Sequence, residues 1–152
     1  MTNNITFTCK KFDALTPHEL YAILNLRSEV FVVEQNCVYL DPDNKDQASY
    51  HIMAWEQNTL VGTTRLVPAG ISYKEASIGR VVTSHTVRGK GVGRPLMQFS
   101  ISTLYDLWGK TTITIGAQYY LRKFYSSLGF QQCSEVYMED GIEHITMFLP
   151  VL

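Results

Sequence analysis

Three glycines and three basic residues crowd into Arg88-Gly89-Lys90-Gly91-Val92-Gly93-Arg94, a combination suited to gripping an anion. Glycine admits positive φ and lets another group approach the main chain closely. Where such a turn opens a helix, unpaired N–H groups and the positive end of the dipole face outward and can cradle a phosphate. Arg88, Lys90 and Arg94 add charge-assisted donors, roughly twice as strong as neutral ones. Two phosphate motifs fail here. GxxxxGK[ST] needs Ser or Thr after Gly89-Lys90, where Gly91 stands, and GxGxxG needs a glycine where Leu96 stands. The spacing that fits is Arg-x-x-Gly-x-Gly at Arg88, Gly91 and Gly93. By itself it suits a structural turn as well as a phosphate site. Pro95 has no N–H and is tolerated only in a helix's first turn, so the helix begins at Gly91 or later and leaves nearby amides free.

The elements that must position this turn follow from periodicity. Alternation of Ile5, Phe7 and Cys9 with Thr6, Thr8 and Lys10 predicts a half-buried strand over Ile5–Phe12. Thr16-Pro17-His18-Glu19 is a capping box with proline at the first helical position. Leu20, Ile23, Leu24, Arg27, Val30 and Phe31 then recur at helical spacing to about Val33. Strands are expected at Tyr50–Glu56, Leu60–Val67, Ala76–Thr83 and Thr111–Ile115. A second long helix carries Val92, Leu96, Phe99, Thr103 and Leu107 and stops at Gly109. Tyr119–Leu128 is helical up to Gly129. Gln132–Met138 and Ile142–Phe148 form a hairpin around Glu139-Asp140-Gly141. The order is β-α-β-β-β-α-β-α-β-β. Asp41-Pro42-Asp43-Asn44-Lys45-Asp46 is expected to be a solvated loop without metal, because Lys45 occupies a ligand position and the turn glycine of an EF-hand is absent.

The chain has 152 residues, 45% of them apolar and 12% aromatic, enough for one packed core spanning 1–152 as a single domain. Thirteen basic and fourteen acidic residues leave a net charge of −1. Such a balance gives no overall field to draw nucleic acid or an anionic membrane, so neither partner is expected. Cys9, Cys37 and Cys133 are odd in number and form no CxxC pair. They suit neither a disulfide framework nor a zinc site and fit a reducing cytosol. No signal sequence is visible in Met1-Thr2-Asn3-Asn4, and no apolar run approaches the ~18 residues of a membrane span. A cytoplasmic location is expected.

Six segments together carry a resemblance to a known family. They are Leu26–Cys37, Ile78-Gly79-Arg80-Val81-Val82, Arg88–Gly93, Gly116-Ala117-Gln118, Phe124–Phe130 and Tyr137–Ile142. In this order, over nearly the whole chain, the sequence resembles the GNAT N-acyltransferase superfamily, and within it the ElaA-type branch of small bacterial enzymes. The resemblance implies an α/β fold with a mixed sheet whose two central parallel strands splay apart around acyl-CoA. It implies that Arg88, Gly89, Lys90, Gly91, Val92, Gly93 and Arg94 hold the CoA pyrophosphate. Val81, Val82 and Thr83 would pair with the pantetheine arm. Acetyl-CoA is the implied co-substrate, with no metal, and a small-molecule or peptide amine the implied acceptor. The chain would act as a monomer or homodimer.

Acyl transfer from a thioester to an amine needs a neutral amine, a stabilised oxyanion and a protonated leaving thiolate. An amine of pKa ~10.4 is charged at neutral pH, so a base or water relay must take its proton. A main-chain N–H near Val82 can polarise the carbonyl. Tyr125 matches the family's Tyr-x-x-x-Gly-Phe tyrosine and is the expected general acid; as a helix aromatic it also suits the core. Glu34, His51, His85 and His144 are the base candidates by type, with Glu34 and His144 lying inside the resemblance. Gln118, Tyr119 and Arg27 are expected to line the acceptor site. Arg27, Arg65 and Arg80 each suit either a substrate carboxylate or an ion pair. Two other functions compete. Arg27–Phe31 and Leu60–Pro68 are similar to stretches of acyl-homoserine-lactone synthases, and a non-catalytic acyl-CoA-binding module would keep the same turn.

Overall fold

The computed structural model describes residues 4–151. Its first half is an antiparallel meander in which β1 (Ile5–Lys11), β2 (Tyr50–Glu56), β3 (Thr59–Val67) and β4 (Ser77–Thr83) pair in that order. Side chains alternate between the two faces of β2, as period-2 geometry requires. Ile52 and Ala54 join one core cluster with Leu96 and Met97, while Met53 joins the other with Ile23 and Leu26. Those partners come from α2 (Gly93–Trp108) and α1 (Pro17–Arg27). The sheet is thus sandwiched, and β3 is buried at every residue after Thr59.

In the second half β5 (Ile113–Gln118) pairs with β8 (Ile142–Leu149), whose other edge takes β6 (Gln131–Gln132) and β7 (Tyr137–Glu139). The short α3 (Arg122–Ser127) precedes β6. The halves meet through one parallel bridge, Ala76 with Ile113, where Thr114 N donates to Ala76 O at 3.0 Å. Beyond it no pairing joins β4 to β5 among the described residues. The two parallel strands therefore diverge towards Thr83 and Gln118. This is a mixed α/β fold, with the splay as expected.

Local signals and structure agree at the caps. Thr16 Oγ accepts from Glu19 N at 3.1 Å, and Glu19 Oε1 accepts from Thr16 N at 2.8 Å. The helix stays helical to Glu34, but Ser28–Glu34 is wound as π-helix, with Gln35 N donating to Val30 O. The expected strand over 132–138 is broken in two. Ser134 Oγ accepts the Thr146 N–H at 2.8 Å, replacing a ladder bond with a side-chain one. β5 starts two residues later than expected and runs on to Gln118, because pairing with β8 recruits Gly116 and Ala117 against their weak strand preference. Asp140 (φ 50°) and Gly141 (φ 77°) form the tight turn of the last hairpin. No described helix is long and apolar enough to cross a membrane.

The 41–46 loop departs from expectation: Asp41 is 2% and Asp46 5% exposed. Three arginines draw it inward. Arg27 Nε donates to Asp41 at 2.8 Å and its Nη1 to Asp46 at 2.8 Å, while Arg65 makes bonds of 2.7 and 2.9 Å to Asp43. Burial alone would raise the Asp43 and Asp46 carboxyls. Hydrogen bonds and charge from Arg65, and from Arg27 in the case of Asp46, hold both below the usual carboxylate range instead. Because their folded values are depressed, they stabilise the fold fully above the unfolded value of about 3.9 and lose that contribution as pH falls through the folded ones. Thermal midpoints should accordingly drop on acidification below about pH 4, and Asp46→Asn should flatten that slope. An equally steep acid slope in the variant would refute this assignment.

Candidate active site

The divergence of β4 and β5 leaves a cleft of about 530 Å³, walled by both strands, the π-helical segment and α3. At one end lies the glycine-rich turn. Gly89 (φ 78°) and Gly91 (φ 75°) are left-handed, with open space where a Cβ would sit. α2 starts at Gly93, and Val92 before it supplies no side-chain cap, so the first amides of the helix lack a capping acceptor. Arg88 reaches back across the cleft, donating to Thr83 O at 2.9 Å and pairing with the Glu34 carboxylate. Arg94 lies against α3, with Nη2 2.6 Å from Ser127 Oγ and its guanidinium over the Phe124 ring. Val92 has its side chain in the core, which leaves its main chain for a ligand.

Along the floor, β4 slips register: Gly79 opposes Arg65 and Val82 opposes Thr63, so Arg80 and Val81 together face Thr64. This is a β-bulge, and Arg80 sits at φ 47° within it. Val81, Val82 and Thr83 line the cleft, and the edge of β4 towards β5 has no strand partner there.

Tyr125 and His144, 5% and 8% exposed, also line the cleft. The Tyr125 ring is held edge-on by Phe124 (5.2 Å) and Phe130 (5.9 Å). Burial, then the nearby Tyr120, pushes its phenol above the ordinary value, so it stays protonated. His144 Nδ1 lies 2.8 Å from Ile142 O. A carbonyl only accepts, so Nδ1 carries the proton, and Nε2 of the neutral ring keeps its lone pair. Glu139 Oε2 is 3.6 Å from that Nε2, and Tyr137 stacks on the ring. Gln35 and Gln118 exchange amide bonds of 3.2 and 3.3 Å beside the mouth.

Of the expected site residues, Glu34, Val81, Val82, Thr83, Arg88, Gly93, Gln118, Tyr125 and His144 line this cleft. Gly89, Lys90, Gly91, Val92 and Arg94 form the adjoining turn. Arg27 does not line it: at 1% exposure its guanidinium is committed to Asp41 and Asp46. Tyr119 is also displaced. A 3-10 turn over Tyr119–Leu121 places Tyr119 under the Arg122 guanidinium, 4.4 Å from its ring centre, and Tyr120 lines the cleft instead. Glu34 is engaged by Arg88, so it is not a free base. His51 is buried, its Nε2 bonded to Asp46 O at 2.9 Å, and His85 pairs with Glu29. Glu139, Gln35 and Tyr39 also line the cleft. Of these, Glu139 was within reach of sequence: a two-residue Asp140-Gly141 turn sets Glu139 against Ile142 and Tyr137 against His144.

The donor set fits a pyrophosphate with an extended arm: left-handed glycines with open space, uncapped helix amides, Arg88 and an unpaired strand edge. Among the described residues no group of three or more His, Cys, Asp or Glu is arranged to hold a metal ion.

Comparison with known proteins agrees. Residues 19–150 match the model of the acetyltransferase (GNAT) domain family. Protein ElaA of Escherichia coli K12 is 41% identical over 140 residues, 91% of this chain and 92% of that one. The crystal structure of E. coli ElaA has a TM-score of 0.90 at 39% identity, covering 95% of this chain and 99% of that one. An acyl-CoA N-acyltransferase from Pseudomonas aeruginosa has a TM-score of 0.91 at 41% identity with the same coverage.

Proposed function

The chain belongs to the GNAT acetyltransferase family, in its ElaA-like branch, with acetyl-CoA as donor, and from that premise we propose direct transfer of acetyl to a primary amine in a ternary complex. The acceptor is the amine of a small molecule or peptide. The observation that carries this reading is the convergence on one cleft of an uncapped helix start, an unpaired strand edge, the Tyr125 phenol and the His144 lone pair.

In this reading the amides of Gly89 and of Gly91–Arg94, with the Arg88 guanidinium, hold the pyrophosphate, while the Arg88 and Lys90 amides stay bonded to His85 O and Val87 O, and the main chain of Val81–Thr83 aligns the arm. A β4 amide near Val82 donates to the carbonyl oxygen as it gains charge. His144 Nε2 takes the amine proton directly or through one water, and Tyr125 protonates the departing thiolate. Glu34 orients Arg88 until phosphate replaces it. Residues 1–152 work as one domain, as monomer or homodimer. Cys9, Cys37 and Cys133 are all free thiols, which supports a reducing cytoplasm.

Calorimetric titration with acetyl-CoA tests the cradle. Gly91→Val puts a β-branched residue at φ 75°, a strain on the order of 1–3 kcal/mol, so affinity should fall about tenfold or more while the far-UV spectrum is kept. Initial-velocity lines for donor and amine should intersect; parallel lines would indicate a covalent enzyme intermediate and sink direct transfer. A folded wild type that does not bind acetyl-CoA would overturn the assignment of the cradle.

A further inference from the structure

Resting on the acetyltransferase reading above, we propose that Arg80 is a positioning residue: clamped by Asp41 and Asp43, it holds the β4 bulge so that a main-chain N–H meets the acetyl carbonyl. Positive φ is uncommon outside glycine, yet Arg80 adopts φ 47° in the middle of a strand. Gly79 is its immediate neighbour and would take that conformation without steric cost, but Gly79 is not left-handed. The chain places the distortion on the residue with the long cationic side chain. That choice makes sense if the side chain fixes the bulge, and none if the backbone only needs freedom to bend.

The clamp itself is well anchored. Arg80 Nη2 donates to Asp41 O at 2.8 Å and to Asp43 Oδ2 at 3.3 Å, and its Nε lies 2.9 Å from Asp41 Oδ1. Asp41 is gripped from behind by Arg27 Nε at 2.8 Å and by the Tyr39 hydroxyl at 3.1 Å. Asp43 receives two bonds from Arg65. Arg27 belongs to α1 and Arg65 to β3, so the 41–46 loop transmits the rigidity of both to one point on β4. Buried ion pairs give little net stability, and a role in fixing one conformation is a better reason to find them. Of the three arginines only Arg80 also lines the cleft. It does so at the bulge, where Arg80 and Val81 share the single partner Thr64.

The test needs no knowledge of the acceptor. Acetyl-CoA labelled with ¹³C at the acetyl carbonyl is bound to the protein and its C=O stretch read by isotope-edited infrared spectroscopy. A donor aimed at the oxygen lowers the stretch relative to free acetyl-CoA. Arg80→Gly permits φ 47° but removes the clamp. We expect it to lose about half or more of the downshift while the acetyl-CoA Kd stays within about threefold, and to lower turnover on any amine the wild type accepts about 10²-fold. Asp43→Asn, outside the cleft lining, should lose part of the downshift too, and serves if Arg80→Gly does not fold. A folded variant that keeps the full downshift overturns the role of Arg80, as does a wild type that binds acetyl-CoA without any downshift. A wild type that does not bind acetyl-CoA overturns the cradle assignment, and this proposal with it.

Discussion

Tyr125→Phe is expected to lower kcat about 10²- to 10³-fold while acetyl-CoA binds as tightly as before. The substitution removes one oxygen and keeps the ring that Phe124 and Phe130 hold edge-on. Among the described residues that oxygen has no hydrogen-bond partner, so its loss breaks no internal contact and the thermal midpoint should barely move. Burial, reinforced by Tyr120, keeps the phenol protonated at neutral and mildly alkaline pH. An alkaline fall in rate would therefore not come from Tyr125. The acid limb of kcat/KM should report the base, which must be neutral to accept a proton. His144→Gln should lower kcat about 10²-fold or more, since among the described residues it removes the one histidine that lines the cleft and leaves no imidazole there to take the amine proton. Full turnover by Tyr125→Phe would remove the tyrosine from the mechanism. Lost acetyl-CoA binding would make it a binding residue instead.

Arg27→Ala carries the largest expected cost to the fold, about 3–5 kcal/mol. The residue is 1% exposed and bonds two carboxylates that are themselves buried. Removing it strands Asp41 and Asp46 out of water with one guanidinium fewer between them. Against a total stability of about 5–15 kcal/mol for an ordinary domain, that is a large fraction. Arg27→Lys should recover only part, because an ammonium cannot reproduce the fork that reaches Asp41 through Nε and Asp46 through both terminal nitrogens. Urea unfolding followed by circular dichroism measures both variants. A change below about 1 kcal/mol for Arg27→Ala would mean the cluster is worth no more than a surface pair.

Local chemistry explains which parts of this molecule could be read from the chain. The Thr16 capping box, the Asp140-Gly141 turn and the glycine-rich turn that opens α2 are written in adjacent residues, and each forms where expected. Arg27 is different. Its position on the buried stripe of α1 was legible, but its partners lie 14 and 19 residues away in a segment with the composition of a surface loop. Nothing in Asp-Pro-Asp-Asn-Lys-Asp announces that three arginines will draw it inward. Tyr119 failed by one residue, because a helix and a 3-10 turn differ in angular step and exchange the facing of Tyr119 and Tyr120. The β4 bulge and the divergence of β4 from β5 are products of pairing between distant strands. Local sequence offered only Gly79 as a hint, and the distortion settled on its neighbour.

The single Ala76–Ile113 bridge also bears on how the chain folds. One half-sheet is drawn from residues 5–83 and the other from 113–149, so each half can complete nearly all of its own strand pairing without the other, while the core that joins them needs both. The β4 edge belongs to the first half, Tyr125 and His144 to the second. The pocket comes into being only on docking, and anything bound across it favours the docked form by mass action. At a hundred times its Kd such a ligand adds about 2.7 kcal/mol. The resistance of this protein to unfolding and proteolysis would then rise and fall with the concentration of its own acyl donor.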